Sequence, residues 1–459
     1  MTFTLSTTAE AIHQLAAELP GQVNVPGDVD WDEAHVAWTR SVDQRPVAVV
    51  QVRDAEDVVA AVRCAIGAGL AVSAQPVGHG ATTAITGTIL LRTRGLQSIS
   101  VDVENRVARV GAGVKWGELL AATAPHGLTG LAGSSPDPSV TGFSVSGGLS
   151  WFGRAHGLAA HSIRAVEVVD ATGTRRRVTA QSDPDLFWAI CGGGGDFAIV
   201  TAIEVALYPA PHVYGGRIMW PIEMAWPVLR AFRDIAATAP EELTLWTHLL
   251  RFPSLAELPD FLRGGSFVTV EATYLGSAEA AEALLAPLYE IPAVQLNTMG
   301  TVPLDQLGGI CAEPVDPMPT QEMSGMLNGL DDAGIGKLLE VVGHQVQSPL
   351  LAVQIRQLGG ALTRGTERQG PAGAVDAPFQ LFCLGIPMVP ELGVAIEAAF
   401  AAVKVSMEDH LTGRTFFTFL GSDDDPSAAF APESLARLQD IKRAVDPNSV
   451  LRSNRPVLR

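Results

Sequence analysis

Across the first 210 residues short β and α patterns alternate, and that alternation limits the possible folds more than any other feature. "RPVAVVQV" (45–52) reads as a buried strand, and "AEDVVAAVRCAIGAG" (55–69) carries helical spacing that ends at Gly67 and Gly69. "AVSAQPV" (71–77), "TILLRT" (88–93), "ISVDVENRVARVGAG" (99–113) and "IRAVEVVDATGTRRRVT" (163–179) predict further strands, the last two with turn signals inside them. "WGELLAATAPHGL" (116–128) predicts a helix. Elements this short bury their apolar faces only by stacking in layers, which gives an α+β or α/β class.

A Pro/Gly-rich break, "YPAPHVYGG" (208–216), marks a domain boundary. Beyond it lie four strand patterns: "LTLWTHLLRF" (243–252), "SFVTVEATYL" (266–275), "LAVQIRQLG" (351–359) and "FQLFCLG" (379–385). Alanine-rich helices at 278–289 and 393–411 separate them, as in an antiparallel sheet with helices on one face. The tail adds a strand, "RTFFTFLG" (414–421), and a helix, "PESLARLQDIKRAV" (432–445).

A chain of 459 residues exceeds the usual single core, so two domains are expected. Apolar residues make up 47% and charged residues 17%, a globular balance. The net charge of −18 lacks the basic footprint that displaces counterions, so neither nucleic acid nor an anionic membrane is expected as a partner. Cys64, Cys191, Cys311 and Cys383 are widely spaced and suggest neither a disulfide framework nor a zinc knuckle; no metal is expected. The opening "MTFTLSTTAEAIHQL" has no basic stretch ahead of an apolar one, and no apolar run reaches membrane-spanning length. A cytoplasmic protein is the expectation.

Glycine concentrates at 77–80 ("VGHG"), 111–117 ("GAGVKWG"), 146–153 ("SGGLSWFG") and 192–195 ("GGGG"). Glycine lets backbone amides approach an anion, and three of these segments clustering in one domain point to a large phosphate-bearing ligand. Segment 111–117 reads instead as tight turns, because its GxGxxxG spacing breaks the dinucleotide fingerprint. His79 sits among tiny neighbours, so its ring is accessible as nucleophile, general base or covalent tether. HExxH, GxSxG and P-loop templates are absent from the sequence.

The order "QPVGHG", then "GSSPDPSVTGFSVSGGLSWFGRAHGL" (133–158), then "DPDLFWAICGGGGDFAIVT" (183–201), then "VDPNSVLRSNRPV" (445–457) resembles the FAD-linked oxidases of the berberine-bridge-enzyme type, in the vanillyl-alcohol-oxidase superfamily. The resemblance covers nearly the whole chain. It implies an α+β fold with a two-part PCMH-type FAD-binding domain, residues 1–210 plus a C-terminal return at 413–459. A substrate domain at 211–412 would carry the antiparallel sheet covered by helices. It implies FAD bonded through its 8α-methyl to His79, with Pro76, Val77, Gly78, Gly80 and Ala81 around it. Gly133, Ser134, Ser135, Asp137, Val140, Gly142, Phe143, Gly147 and Gly148 match the flavin-lining stretch. Ile199 and Val200 match the strand near the adenosine end, and Asn454 matches the C-terminal return.

The implied reaction moves a hydride from an alcohol or natural-product intermediate to the flavin, which dioxygen reoxidises. The substrate is expected to be a small molecule, large and apolar for its class, and the protein a monomer or homodimer. Two departures matter. Ser135 stands where many members have a cysteine that makes a second bond to the flavin, so a single attachment is expected. Phe416 stands where the usual base is a tyrosine. The missing base keeps an alternative open, a non-redox cyclisation or rearrangement with FAD structural, and beyond it a flavin-binding protein without turnover. A base would then come from the substrate sheet. Period-2 alternation puts Thr269, Glu271 and Thr273 on one face against Val268, Val270, Ala272 and Tyr274, and puts Gln354 with Arg356. Glu271, Arg356, Tyr274 and His248 are the catalytic candidates, with His156 in reserve; a solvent face is the ordinary reading of such a stripe.

Overall fold

The computed structural model describes residues 7–365, 370–421 and 424–458. Each of the alternating patterns in the first 210 residues forms an element. The helix Ala55–Ala68 starts where Asp54 accepts from the amides of Glu56 and Asp57, and it stops at Gly69, whose φ of 65° a glycine adopts without strain. Strands Ala48–Gln51, Ile89–Arg92 and Val72–Ala74 pair in parallel, with Val23–Asn24 added antiparallel at the edge. The two strand patterns with internal turn signals each split into a hairpin: Ile99–Asp102 with Val107–Gly111, and Ile163–Val169 with Arg175–Val178. Ile199–Ala206 runs between the hairpins and completes a five-stranded antiparallel sheet.

A third sheet holds the four predicted strands and more. Its order is Leu296–Asn297, Tyr214–Pro221, Ser266–Tyr274, Leu243–Arg251, Ala352–Gln357, Phe379–Gly385 and Gln321–Leu327, with Gly300–Thr301 also pairing Tyr214–Pro221. One face packs Leu245, Val268, Val270, Ile355 and Leu381 against Phe232, Leu285, Leu338 and Ile396 of the covering helices. The helices Ala278–Tyr289 and Pro432–Val445 fall where the spacing predicts them.

Two expectations are corrected. The break at 208–216 ends early, because Tyr214 begins a strand that pairs with Ser266–Tyr274 over eight residues. The segment 414–421 forms no strand. Phe417–Phe419 make a 3-10 turn, the Thr415 amide donates to Ala428 O, and the Met326 amide donates to Arg414 O. With its backbone groups spent on these partners, the segment has no ladder to join.

The C-terminal stretch packs back onto the first part of the chain. Phe417, Leu420, Leu438, Ile441 and Val457 share one apolar cluster with Val110, Trp116 and Ile203. Lys442, 3% exposed, fastens it: its Nζ donates at 2.7 Å to Asp196 O, Asp446 Oδ2 and Leu451 O. The Asp196 carboxylate accepts the amides of Ser453 and Val457. Lys442→Met leaves the buried Asp446 without its cation, so urea denaturation should show a loss of about 3 kcal/mol.

Candidate active site

Two of the glycine segments, 146–153 and 192–195, line one cavity, and a third carries His79. The loop that carries it leaves the strand Val72–Ala74, and Gly78 turns it at φ +105°, where a Cβ would stand 2.6 Å from Gln75 Nε2. Only glycine fits that corner. The ring of His79 lies 4.2 Å from the Trp38 ring, centroid to centroid, and its Nε2 is 3.0 Å from Asp137 Oδ2. Lys115 Nζ holds the other carboxylate oxygen of Asp137. Burial would raise the Asp137 carboxyl, but hydrogen bonds from His79 and Lys115 outweigh it and hold the group below the ordinary carboxylate range.

The segment behind Asp137 leads into a short helix, Val140–Val145, capped by Ser139 Oγ on the Gly142 amide. Thr141 Oγ1 and Ser144 Oγ on it are buried without a hydrogen-bond partner among the described residues. A Cβ on Gly80, Gly147 or Gly195 would meet nothing within 4 Å, and Gly147 sits at φ +100°. Bare hydroxyls beside empty space and glycine amides make a cradle for a ligand rich in acceptor oxygens, which FAD is. A cavity of about 160 Å³ opens beside Ser146, Gly147 and Gly192, walled by Met326, Val375 and Phe416.

The second half of the site is the face of the third sheet turned away from its helices. Register places Arg217 opposite Glu271, Glu271 opposite Trp246, and Trp246 opposite Arg356. One step along, Thr269, His248 and Gln354 stand side by side. Glu271 has no solvent exposure and accepts from Arg217 Nε at 2.7 Å, His248 Nδ1 at 2.8 Å and Thr269 Oγ1 at 2.7 Å. Burial by itself would raise this carboxyl; His248 and Arg217 overrule it and lower it to about 2. His248 Nε2 meets the Gln354 amide, whose Oε1 accepts from Arg356 Nε at 2.6 Å. The hydrogen-bond pattern therefore assigns the Gln354 nitrogen to the histidine. Arg356 lies between the rings of Trp246 and Phe419, 4.1 and 4.9 Å from their centroids. Trp246 in turn stacks on Trp151 of the first part of the chain, at 3.5 Å.

The FAD binding domain family matches residues 46–179. The chain is 26% identical to (R)-6-hydroxynicotine oxidase of Paenarthrobacter nicotinovorans over 95% of its own length and 96% of that protein's. It is 32% identical to glucooligosaccharide oxidase of Sarocladium strictum, over 47% of this chain and 45% of that one. Its fold superposes on the BBE-like 1 protein of Physcomitrella patens with a TM-score of 0.86 at 20% identity, covering 97% and 98% of the two chains. For 6-hydroxy-D-nicotine oxidase of Arthrobacter nicotinovorans the TM-score is 0.76 at 24% identity, with 98% of each covered. The chain carries an FAD-binding domain, has the fold of BBE-like proteins, and is an FAD-linked oxidoreductase.

In this oxidoreductase the positions carried over by resemblance divide into two groups. His79 meets Asp137, and Pro76 Cγ lies 3.7 Å from where a Cβ on Gly142 would stand, while Gly147 lines the cavity beside Phe416. Ser135 Oγ accepts the Asp137 amide and so shapes the same turn. The other group is spent on packing. A Cβ on Gly133 or Gly148 would strike the Phe143 ring at 3.1 or 2.5 Å, so these glycines exist to seat Phe143. The Val140, Ile199 and Val200 side chains belong to the apolar clusters. Asn454 serves the loop itself: its Oδ1 accepts the Thr82 amide and Gln44 Nε2, and its Nδ2 donates to Gln75 Oε1.

Of the catalytic candidates, Glu271, His248 and Arg356 stand in one network. Tyr274 does not: it lies on the opposite face of its strand, against the helix-side cluster. His156 stacks on Tyr208 at 4.1 Å, away from the row. The stripe read as a solvent face is buried, with Thr269, Glu271 and Thr273 all at 0% exposure. Phe416, 5% exposed, sits in an apolar cluster with Leu149, Leu158 and Met326. Sequence reasoning missed Trp38, Lys115, Arg217 and Glu322. Lys115 hid in the segment read as tight turns, and Arg217 follows directly on the break read at 208–216, in a strand that was not predicted. Glu322 shares its strand face with Ser324, and burial pushes its carboxyl up against the opposing pull of Arg455 and His79. No sequence signal separates it from other strand glutamates.

A carboxylate lowered on folding contributes stability that is complete above its unfolded value of 4.5 and is lost as pH falls toward 2. Glu271→Gln should therefore cost about 3 kcal/mol in chemical denaturation at pH 7, and the deficit should shrink between pH 4.5 and 2. Gly147→Val, which fills the cradle at a positive φ, should lower bound FAD per chain in the purified protein.

Proposed function

We propose that this oxidoreductase takes a hydride from a small-molecule substrate lying against the polar face of the third sheet, with its FAD tethered through His79. The observation that carries this reading is the seating of His79: an accessible imidazole, clamped by Trp38 and Asp137, at the mouth of a cradle facing a buried polar sheet. When bound, FAD supplies the hydride-accepting centre, with dioxygen as the terminal oxidant. In support of the tether, a solved glucooligosaccharide oxidase of Acremonium strictum, alike in fold with a TM-score of 0.81 at 21% identity, reveals a novel flavinylation.

The residues divide the work. Asp137, held by Lys115, takes the His79 Nε2–H and leaves Nδ1 with its lone pair open for bonding. Trp38 fixes the ring and donates from Nε1 to Val315 O at 3.1 Å, which draws the 311–320 loop over the same spot. Glu271 is held ionised well below the ordinary range by three hydrogen bonds and has no solvent exposure, and His248 has both nitrogens engaged, so neither is assigned the substrate's proton. Glu322, on the same face of the sheet as Gln354 and Arg356, is the carboxyl assigned to that step, and burial raises it above the ordinary glutamate value. The division into residues 1–210, 211–412 and 413–459 accords with the apolar clusters, one of which unites the first and last parts. Apolar walls at Met326, Val375 and Phe416 suit a large apolar substrate.

Acid-precipitated protein should stay yellow, and His79→Ala should release its flavin to the supernatant; a colourless wild-type pellet rules out the tether. Substrates found by screening alcohols and amines should bleach the oxidised flavin under anaerobic stopped flow. Conversion without bleaching sinks the redox reading. Glu322→Gln should slow bleaching by at least tenfold, and the wild-type rate should fall as pH drops through the raised carboxyl value.

A further inference from the structure

The polar row on the sheet is a chain of matched donors and acceptors with one open end. Starting from Cys311 O, each group answers the next: Arg217, Glu271, His248, Gln354, Arg356. The chain stops at the Arg356 guanidinium. Its Nε is spent on Gln354, and its two terminal nitrogens make no hydrogen bond among the described residues. Arg356 is 5% exposed, and it has no ion pair among the described residues. A buried cation in this state costs several kcal/mol unless something compensates it.

The neighbours supply only part of that compensation. The guanidinium lies over the Trp246 and Phe419 rings, an arrangement a cation tolerates on aromatic rings. Its edge, where planar donors point, is left uncovered by them. Glu271 is taken by three donors. Glu313, on the 311–320 loop, is the strongest other negative influence on Arg356 but forms no ion pair with it. Gln380, opposite Arg356 in register, turns its Nε2 to Thr415 Oγ1 and leaves Oε1 buried and unpartnered, so it does not close the row either.

A guanidinium held against two aromatic rings, with its Nε engaged and both terminal nitrogens unengaged among the described residues, is a fork for two parallel hydrogen bonds. We propose that Arg356 is an anion receptor in the substrate pocket, and that the substrate carries a carboxylate on an aromatic or similarly flat apolar body. The flat body follows from the surroundings: Phe382 and Phe416 stand about the Phe419 ring, 5.5 and 6.2 Å from it. The inference deepens the reading of this face as the substrate's, and it rests on that reading.

The test needs no turnover, so it stands apart from the fate of the redox assignment. Holoenzyme is titrated with 1-naphthoate and, in parallel, with its uncharged analogue 1-naphthamide, following the flavin absorbance and binding heat. Naphthoate should bind on the order of tenfold to a hundredfold tighter than the amide, as charged hydrogen bonds of ordinary strength allow. Arg356→Met should erase the preference, Arg356→Lys should keep part of it, and Glu313→Gln should increase it by removing a competing charge. Flavin content and melting temperature identify variants that fail to fold, and the Lys and Gln variants keep the question open to refutation in that event. Equal affinity for the two probes, absence of saturable naphthoate binding, or a preference intact in Arg356→Met overturns the proposal.

Discussion

A carboxylate with no access to water sits at the centre of an eight-stranded sheet, and much of the site follows from its neutralisation. Glu271 cannot be buried alone, so it draws Arg217, His248 and Thr269 from its own and both neighbouring strands. Those contacts fix the register of three strands as firmly as the apolar face behind them. They also propagate. His248 positions Gln354, and Gln354 positions Arg356, so one buried charge organises a row that reaches the strand Ala352–Gln357. Trp246 adds the join to the rest of the molecule, stacked on Trp151. The same row that steadies the sheet ends at Arg356, whose terminal nitrogens are unengaged among the described residues.

The cradle depends on a second closure, made far away in sequence. The His79 loop is short and glycine-rich and would not hold a ring in place by itself. Asn454 ties it down by three side-chain bonds to Thr82, Gln44 and Gln75, and the Lys442–Asp446–Asp196 cluster anchors the segment that delivers Asn454. A residue near the end of the chain thus holds a loop near its beginning, and the chain has to return before the site is complete.

Much of this was legible beforehand, for reasons that are local. Helix Ala55–Ala68 announces itself by its spacing and its Gly69 stop, and the hairpins by their turn residues. The tail strand was misread because Phe-Phe-Thr-Phe has strand composition, while its backbone partners, Ala428 and Met326, lie elsewhere in the fold. Arg217 was hidden because Gly215 and Gly216 read as a break. In the sheet they serve close approach: a Cβ on Gly216 would stand 2.5 Å from Thr298 O. The stripe of Thr269, Glu271 and Thr273 was correctly placed on one face, but alternation gives a face and not its surroundings.

The sequence by itself determined the elements, the glycine loop around His79, and the family pattern that names the cofactor. These depend on neighbours along the chain, on capping, periodicity and turns, which are written in order. Tertiary structure alone decided that Glu271 is a buried carboxylate paired with Arg217 and His248, that Tyr274 packs against the covering helices, and that Asp137 and Trp38 grip His79. It also decided that Arg356 ends its row with two nitrogens unengaged. Charge pairing and burial are sums over groups that lie tens to hundreds of residues apart, and no local pattern carries them.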